Sequence, residues 1–320
     1  MKTTAPANTS VSKPMAAEIP FNKPSKLKRM EQFKDLLCVI PALIFLVIFT
    51  YYPIVDLFRI SFTDWNLIKD TYTYVGAKNW IWLFQGSGWD TFLQSLKVTA
   101  LYTLGELTIT LVGGILLALL FNRISKPFSA MRAIVFMPKY IAVSTSAIVF
   151  LWILNGESGI LNYVLNKLGF ESVAWTTSEK TALLSVLMLT AWRVVGYAMM
   201  IYLSAIRGIS QDYYEAASLD GANGFQQFWR ITVPLLSPTT LFLFVTTFIA
   251  SMKVFQSVDV MTEGGPYGST QVMVHWIYEL AFKDFRVDRA AVVSCVFFII
   301  LVTFTAATLK WSNKSVNYDS

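Results

Sequence analysis

The chain has 320 residues, of which 55% are hydrophobic and 14% charged, well below the ~25% charged of ordinary soluble domains. Several apolar runs approach the ~20 residues a helix needs to cross a bilayer, so an all-α integral membrane protein is expected. The net charge of +6 forms no basic stripe interleaved with aromatics on a soluble face, which argues against a nucleic-acid partner.

Residues 1–35 are rich in Thr, Ser, Ala, Pro, Asn and Lys, without helical periodicity, and read as a disordered basic tail. Lys23, Lys26, Lys28, Arg29 and Lys34 crowd the entrance to the first apolar run and predict a cytoplasmic N-terminus. A cleaved signal peptide is not expected, because that run starts late, is long and lacks a small-residue cleavage site. Six spans follow, at about 36–58, 95–121, 133–154, 181–206, 239–260 and 290–309, making a six-span domain of 36–310. Pro41 and Pro53 lie in the first span. An aromatic segment with Asp64, Trp65, Trp80 and Trp82 links the first two spans outside the membrane. Arg123, Lys126 and Arg132 mark an inner turn before the third. A second outer segment carries Trp175 and a Gly-bounded amphipathic stretch at 160–168. Residues 311–320 form an inner tail after Lys310. The cationic turns alternate with acid-containing ones, which places both termini inside.

Between the fourth and fifth spans lies a polar stretch, 207–238, too long for an ordinary connection. Asp212 precedes Glu215 at the spacing of a capping box, and Gly221 suits a helix end with positive φ. Asn223 precedes Gln226 at the same spacing and starts a second short helix with Phe225, Phe228 and Trp229. Pro234 and Pro238 mark the exit. A helix–Gly–helix hairpin is predicted, held at the membrane surface.

These residues carry a resemblance. Glu215-Ala216-Ala217, then Gly221, Ile231 and Pro234 at matching distances, resemble the EAA loop of ABC importer permeases, with Val233 where Leu is usual. The resemblance implies the type I ABC importer fold, six transmembrane helices with a cytoplasmic EAA coupling loop that docks on an ATPase subunit. The local alternative is that Glu215 merely caps its own helix and the alanines merely favour helix.

Signals for chemistry within the chain are sparse. His275 is the single histidine, so no His cluster can hold zinc or act as a paired base, and it reads as a hydrogen-bonded surface residue of an outer segment. Cys38 and Cys295 lie in the first and last spans and read as packing residues. No GxxxxGK[ST] loop occurs, so P-loop ATP hydrolysis needs another subunit. The polar residues within spans are the remaining clue, since burying them in lipid is costly. Arg193 and Tyr197 share a face of the fourth span, and Thr247 and Ser251 a face of the fifth. Lys253, Gln256 and Asp259 follow, and Glu106 lies in the second. They read either as helix–helix hydrogen bonding or as the lining of a hydrophilic pathway.

A second resemblance sharpens this. Residues 258–270, with Met261-Thr262-Glu263-Gly264-Gly265-Pro266, are similar to the segment after the fifth core span of carbohydrate-importing permeases. The opening PALIFLVIFTYYPIVDLFRISFTDWN resembles their first core span. By this resemblance Tyr197, Thr247 and Ser251 match sugar-contacting positions, while Val194 and Val254 depart from them. It implies a permease subunit of a sugar or oligosaccharide importer in the bacterial cytoplasmic membrane. It also implies a second homologous permease, two ATPase subunits using ATP and Mg, and an extracytoplasmic solute-binding protein. No cofactor is expected on this chain. The alternatives are an acidic saccharide, a polyol, a glycerol-phosphate-type solute or a lysophospholipid-like ester as cargo. A channel or an intramembrane enzyme fits less well, for want of convergent catalytic groups.

Overall fold

A computed structural model describes residues 37, 39–68 and 71–315, so the predicted tails, Cys38 and Asp70 lie outside or mostly outside the described residues. Two units are distinguished, residues 1–55 and 56–320. Among the described residues the structure is helical, with a single antiparallel bridge between Thr63 and Tyr74. Four helices are long and apolar enough to cross a membrane, and six spans result if each of two bent helix pairs is one span.

The first apolar helix, α1 (Val39–Ile60), carries a π-turn at Val47–Tyr51. In the larger unit α2 (Lys78–Gln85) is fixed by Asn79, whose Nδ2 donates to the carbonyls of Ser61 and Thr63. Helix α3 (Gly88–Leu120) begins before the predicted 95–121, because its first turns hold Asp90 and Gln94 and so look polar. The third predicted span, 133–154, is two helices, α4 (Lys126–Phe136) and α5 (Val143–Ile153). A 3₁₀ turn at Met137–Tyr140 follows α4, and the pair bends by 106°. Pro138 supplies no N–H and favours the break, after which Ile141 is extended. Helix α6 (Ile160–Lys167) matches the amphipathic stretch. It is locked by Asn162, which bonds Gly156, Val173 and Trp175.

The long helix α7 (Ala182–Gly208) is central to the packing. Small residues let its neighbours approach closely, as expected where apolar lipid gives helices no hydrophobic drive to associate. A Cβ on Gly114 of α3 would lie 2.7 Å from Ala198, and one on Gly196 only 2.0 Å from the Val135 carbonyl of α4. Side-chain bonds tie α7 to its neighbours as well, Tyr102 of α3 to Thr190 at 2.8 Å and Tyr202 to Thr240 of the helix at Ser237–Met252 at 3.2 Å.

Helices α8 (Gln211–Leu219) and α9 (Gly224–Leu235) form the predicted hairpin. Its first cap differs from expectation. Ser210, in extended conformation, accepts the Asp212 N–H through its side chain, so Asp212 sits inside the first turn and caps nothing with Glu215. There Asp212 still favours the helix dipole. The second capping box is as expected, with Asn223 and Gln226 bonding each other's backbone at 2.9 Å both ways. Gly221 has φ +79 and completes a Schellman turn: its N–H donates to the Ser218 carbonyl, and that of Ala222 to Ala217. A π-turn at Phe228–Thr232 precedes Pro234, with Val233 N–H reaching back to Phe228.

The fifth predicted span, 239–260, also divides. Helix α10 (Ser237–Met252) stops at Lys253, and a short α11 (Gln256–Met261) follows. Helix α12 (Met273–Tyr278) leads through a π-turn at Glu279–Lys283 to α13 (Val287–Ser315), the last span. Cys295 of α13 is fully buried. His275 is not the surface residue expected of an outer segment: it is fully buried on α12, with no hydrogen-bond partner on either ring nitrogen. Asp259 stands 3.5 Å from its Nε2 and Glu279 3.8 Å from its Nδ1. Burial pushes the imidazole below its ordinary value, against the opposite pull of Glu279. The apolar run 272–277 packs inward, a placement that periodicity over so short a helix cannot reveal.

Candidate functional site

The break between α4 and α5 lies against the middle of α7 and shapes a pair of adjoining cavities. The larger, about 450 Å³, is lined from α3 by Tyr102 and Glu106, from the 3₁₀ turn by Lys139 and from α7 by Arg193. Thr190 of α7, with Lys253, Gln256 and Ser257 around the gap between α10 and α11, completes its polar lining. The smaller, about 240 Å³, shares Glu106 and Lys139 and adds Thr110, Tyr197 and Thr247. Of the residues singled out by sequence, Arg193, Lys253 and Gln256 thus meet in one cavity, and Tyr197 and Thr247 in its neighbour. Ser251 lines neither. It is buried and turned to the α3 interface, its Oγ donating to Thr103 Oγ1 at 3.1 Å and to the Phe248 carbonyl at 2.9 Å.

The geometry of the charges follows from the broken helix. Where the 3₁₀ turn ends, Ile141 leaves a carbonyl outside any helical ladder, and Arg193 Nη2 donates to it at 3.1 Å. Arg193 Nε is buried and has no partner. Lys139 Nζ lies 4.9 Å from the centre of the Tyr197 ring, a cation–π contact. Glu106 is buried, yet no ion pair within 4.0 Å joins it to Lys139 or Arg193. Lys139 escaped the sequence reading, although a Pro-Lys-Tyr triplet inside an apolar run combines two signals, a helix break and a charge at membrane depth. Tyr102 and Thr190 escaped it as well, being individually ordinary in a span.

The second feature is the α8–α9 hairpin. Glu215 and Ala216 are exposed, Ala217 is half-buried, and Gly221 is exposed at the turn. Leu219 is 90% exposed and Phe225 73%, with Tyr213 and Trp229 also open. A cleft of about 500 Å³ runs between Gln211, Tyr214, Glu215, Ser218, Leu219 and Gln227. Tyr214 bonds Thr232 at 2.9 Å and Gln227 bonds Ser218 at 2.9 Å, so the two helices hold one shape. These exposed apolar side chains stand out on an otherwise polar hairpin.

A bent-helix bundle with a polar cavity at mid-span and a rigid, apolar-tipped hairpin between two spans defines a membrane transport subunit. The chain belongs to the family described as "Binding-protein-dependent transport system inner membrane component", which matches residues 110–314. It is 32% identical to the probable ABC transporter permease protein YurN of Bacillus subtilis (strain 168), over 86% of this chain and 94% of that one. It is 29% identical to the trehalose/maltose transport system permease protein MalF of Thermococcus litoralis, over 90% and 97%. In structure it is similar to a chain of a bacterial alginate ABC transporter crystallised with an alginate pentasaccharide-bound periplasmic protein. That match has a TM-score of 0.77 and 25% identity, covering 91% of this chain and 97% of that one. The fold is that of a type I ABC importer permease.

Proposed function

We infer that this permease carries a sugar or oligosaccharide through the cavities lined by α3, the 3₁₀ turn, α5, α7, α10 and α11, and takes its driving force from separate ATPase subunits. The observation that carries the reading is the mid-span cavity, with Tyr197 and Thr247 beside Arg193, Lys253 and Gln256. Aromatic faces suit sugar C–H faces, and hydroxyl and amide groups suit their hydroxyls. Its relatives support a saccharide cargo, trehalose/maltose for one and alginate for another. An acidic saccharide, a polyol or a glycerol-phosphate-type solute are the alternative cargoes.

In this reading a second, homologous permease completes the pathway, a homodimer being the alternative. An extracytoplasmic solute-binding protein delivers the sugar, and two ATPase subunits using ATP and Mg dock on the hairpin. Glu215, Ala216, Ala217 and Gly221 form the coupling element, with Leu219 and Phe225 as its exposed apolar tip. ATPase closure biases the spans between inward-facing and outward-facing states through the difference in what each state binds. The hairpin and both termini then face the cytoplasm of a bacterial inner membrane.

Orientation gives the test. With Cys38 and Cys295 replaced, single cysteines at Asn166 and Tyr267 are expected to react with an impermeant maleimide added outside intact cells. Cysteines at Ser125 and Asn223 are expected to react only after permeabilisation. Labelling of Asn223 from outside would overturn the reading, since an outward hairpin cannot meet a cytoplasmic ATPase.

A further inference from the structure

We propose that the cavity at the α4–α5 break is an anion-recognition site, so that Lys139 and Arg193 select saccharides bearing a carboxylate or similar acidic group. This rests on the permease reading and names the cargo class. Three cations line the larger cavity, Lys139, Arg193 and Lys253, against Glu106 as the one acid among the described lining residues. The imbalance is large for a site at membrane depth, where unpaired charge is costly and is kept only with a partner or a purpose.

The hydrogen-bond accounting points the same way. A guanidinium offers five N–H donors in a rigid fork suited to carboxylates. Arg193 spends one on the Ile141 carbonyl, and its buried Nε has no partner at all. Its position is therefore fixed by the helix break, while donor capacity remains unspent. Lys139 is held over the Tyr197 ring with no carboxylate within 4.0 Å. Cation–π contact orients an ammonium without neutralising it. Glu106 reaches neither cation at ion-pair distance, so it tempers the field without quenching it. The cavity of about 450 Å³ falls within the ~300–1,000 Å³ of typical small-ligand sites.

The alternative is that the cations are structural, Arg193 capping a broken helix and Lys139 packing on an aromatic ring. The two differ in what a charge change does. The experiment uses the assembled transporter in lipid nanodiscs, without its binding protein, so that this cavity alone is read. The probes are trigalacturonate and its carboxyl-reduced neutral counterpart, followed by equilibrium dialysis. The wild type should bind the acidic probe at least about tenfold more tightly, the worth of one charge-assisted hydrogen bond. Arg193→Gln and Lys139→Gln should each abolish that preference, weakening acidic binding at least about tenfold more than neutral binding. Arg193→Lys and Lys139→Arg should retain most of it. Glu106→Gln should strengthen acidic binding, an outcome no merely structural role gives. Equal binding of both probes, binding of neither, or loss of both together in the Gln variants would overturn the proposal. ATP-driven uptake of a neutral saccharide without acid preference would leave the permease reading standing and remove this inference alone.

Discussion

Gly221→Pro is expected to abolish transport while the protein still inserts in the membrane. Gly221 sits at φ +79, and proline is confined near −65°, so the turn between α8 and α9 cannot keep its shape. The substitution also removes the N–H that donates to the Ser218 carbonyl, half of the Schellman pair that ends α8. The local cost is about 3 kcal/mol or more. No span is touched, since a Cβ at this position meets nothing within 4 Å. That open space also sets up a graded control. Gly221→Ala carries only the left-handed strain of about 1–2 kcal/mol and should keep part of the activity. Uptake by proteoliposomes and retention of the ATPase subunits on an affinity column read the two variants. Wild-type uptake by the Pro variant would show that the hairpin does not couple.

Gly196→Ala should do the opposite kind of damage, to the packing of the spans rather than to the hairpin. Its Cβ would lie 2.0 Å from the Val135 carbonyl oxygen and 2.6 Å from the carbonyl carbon, both backbone atoms that no rotamer change can move. Contacts under 3.0 Å are essentially never seen for a real Cβ, so α4 and α7 must separate by about an ångström. Overpacking of this sort typically costs about 1–3 kcal/mol, and a backbone clash lies at the upper end or above it. The same shift would pull Ile141 away from Arg193 and open the cavity wall. The expected result is a sharply lowered yield and melting temperature in detergent, with transport lost in parallel. Gly208→Ala, at the end of the same helix with nothing within 4 Å, should be silent.

The contrast between these two glycines shows what the sequence could carry. Gly221 was legible because its role is local, a helix end marked by flanking polar residues, and the Asn223–Gln226 box was legible for the same reason. Ser210 displaced Asp212 as the first cap because helix starts shift easily by a residue or two. Gly196 has no local signature. It matters because a particular backbone carbonyl of another helix passes over it, which only tertiary structure fixes. Apolar segments were readable from length and hydropathy, but not that Pro138 turns the third into two helices at 106° or that the fifth stops at Lys253. Arg193 and Lys253 drew notice as charges in apolar runs, and the cavity unites them. Ser251 shares a helical face with Thr247 yet meets Thr103 instead, because a shared face does not say which neighbour lies opposite. His275 was misjudged since a lone histidine between spans gives no hint of burial beside Asp259 and Glu279.

The most direct measurement is uptake of a radiolabelled saccharide into proteoliposomes holding this chain with its partner permease and ATPases. Uptake is expected only when ATP and Mg are enclosed with the ATPase side and the loaded binding protein is present on the other. Omission of either should reduce uptake to the level of empty vesicles. Saccharide entering at an undiminished rate without ATP would contradict it, and the chain would then be forming a passive channel.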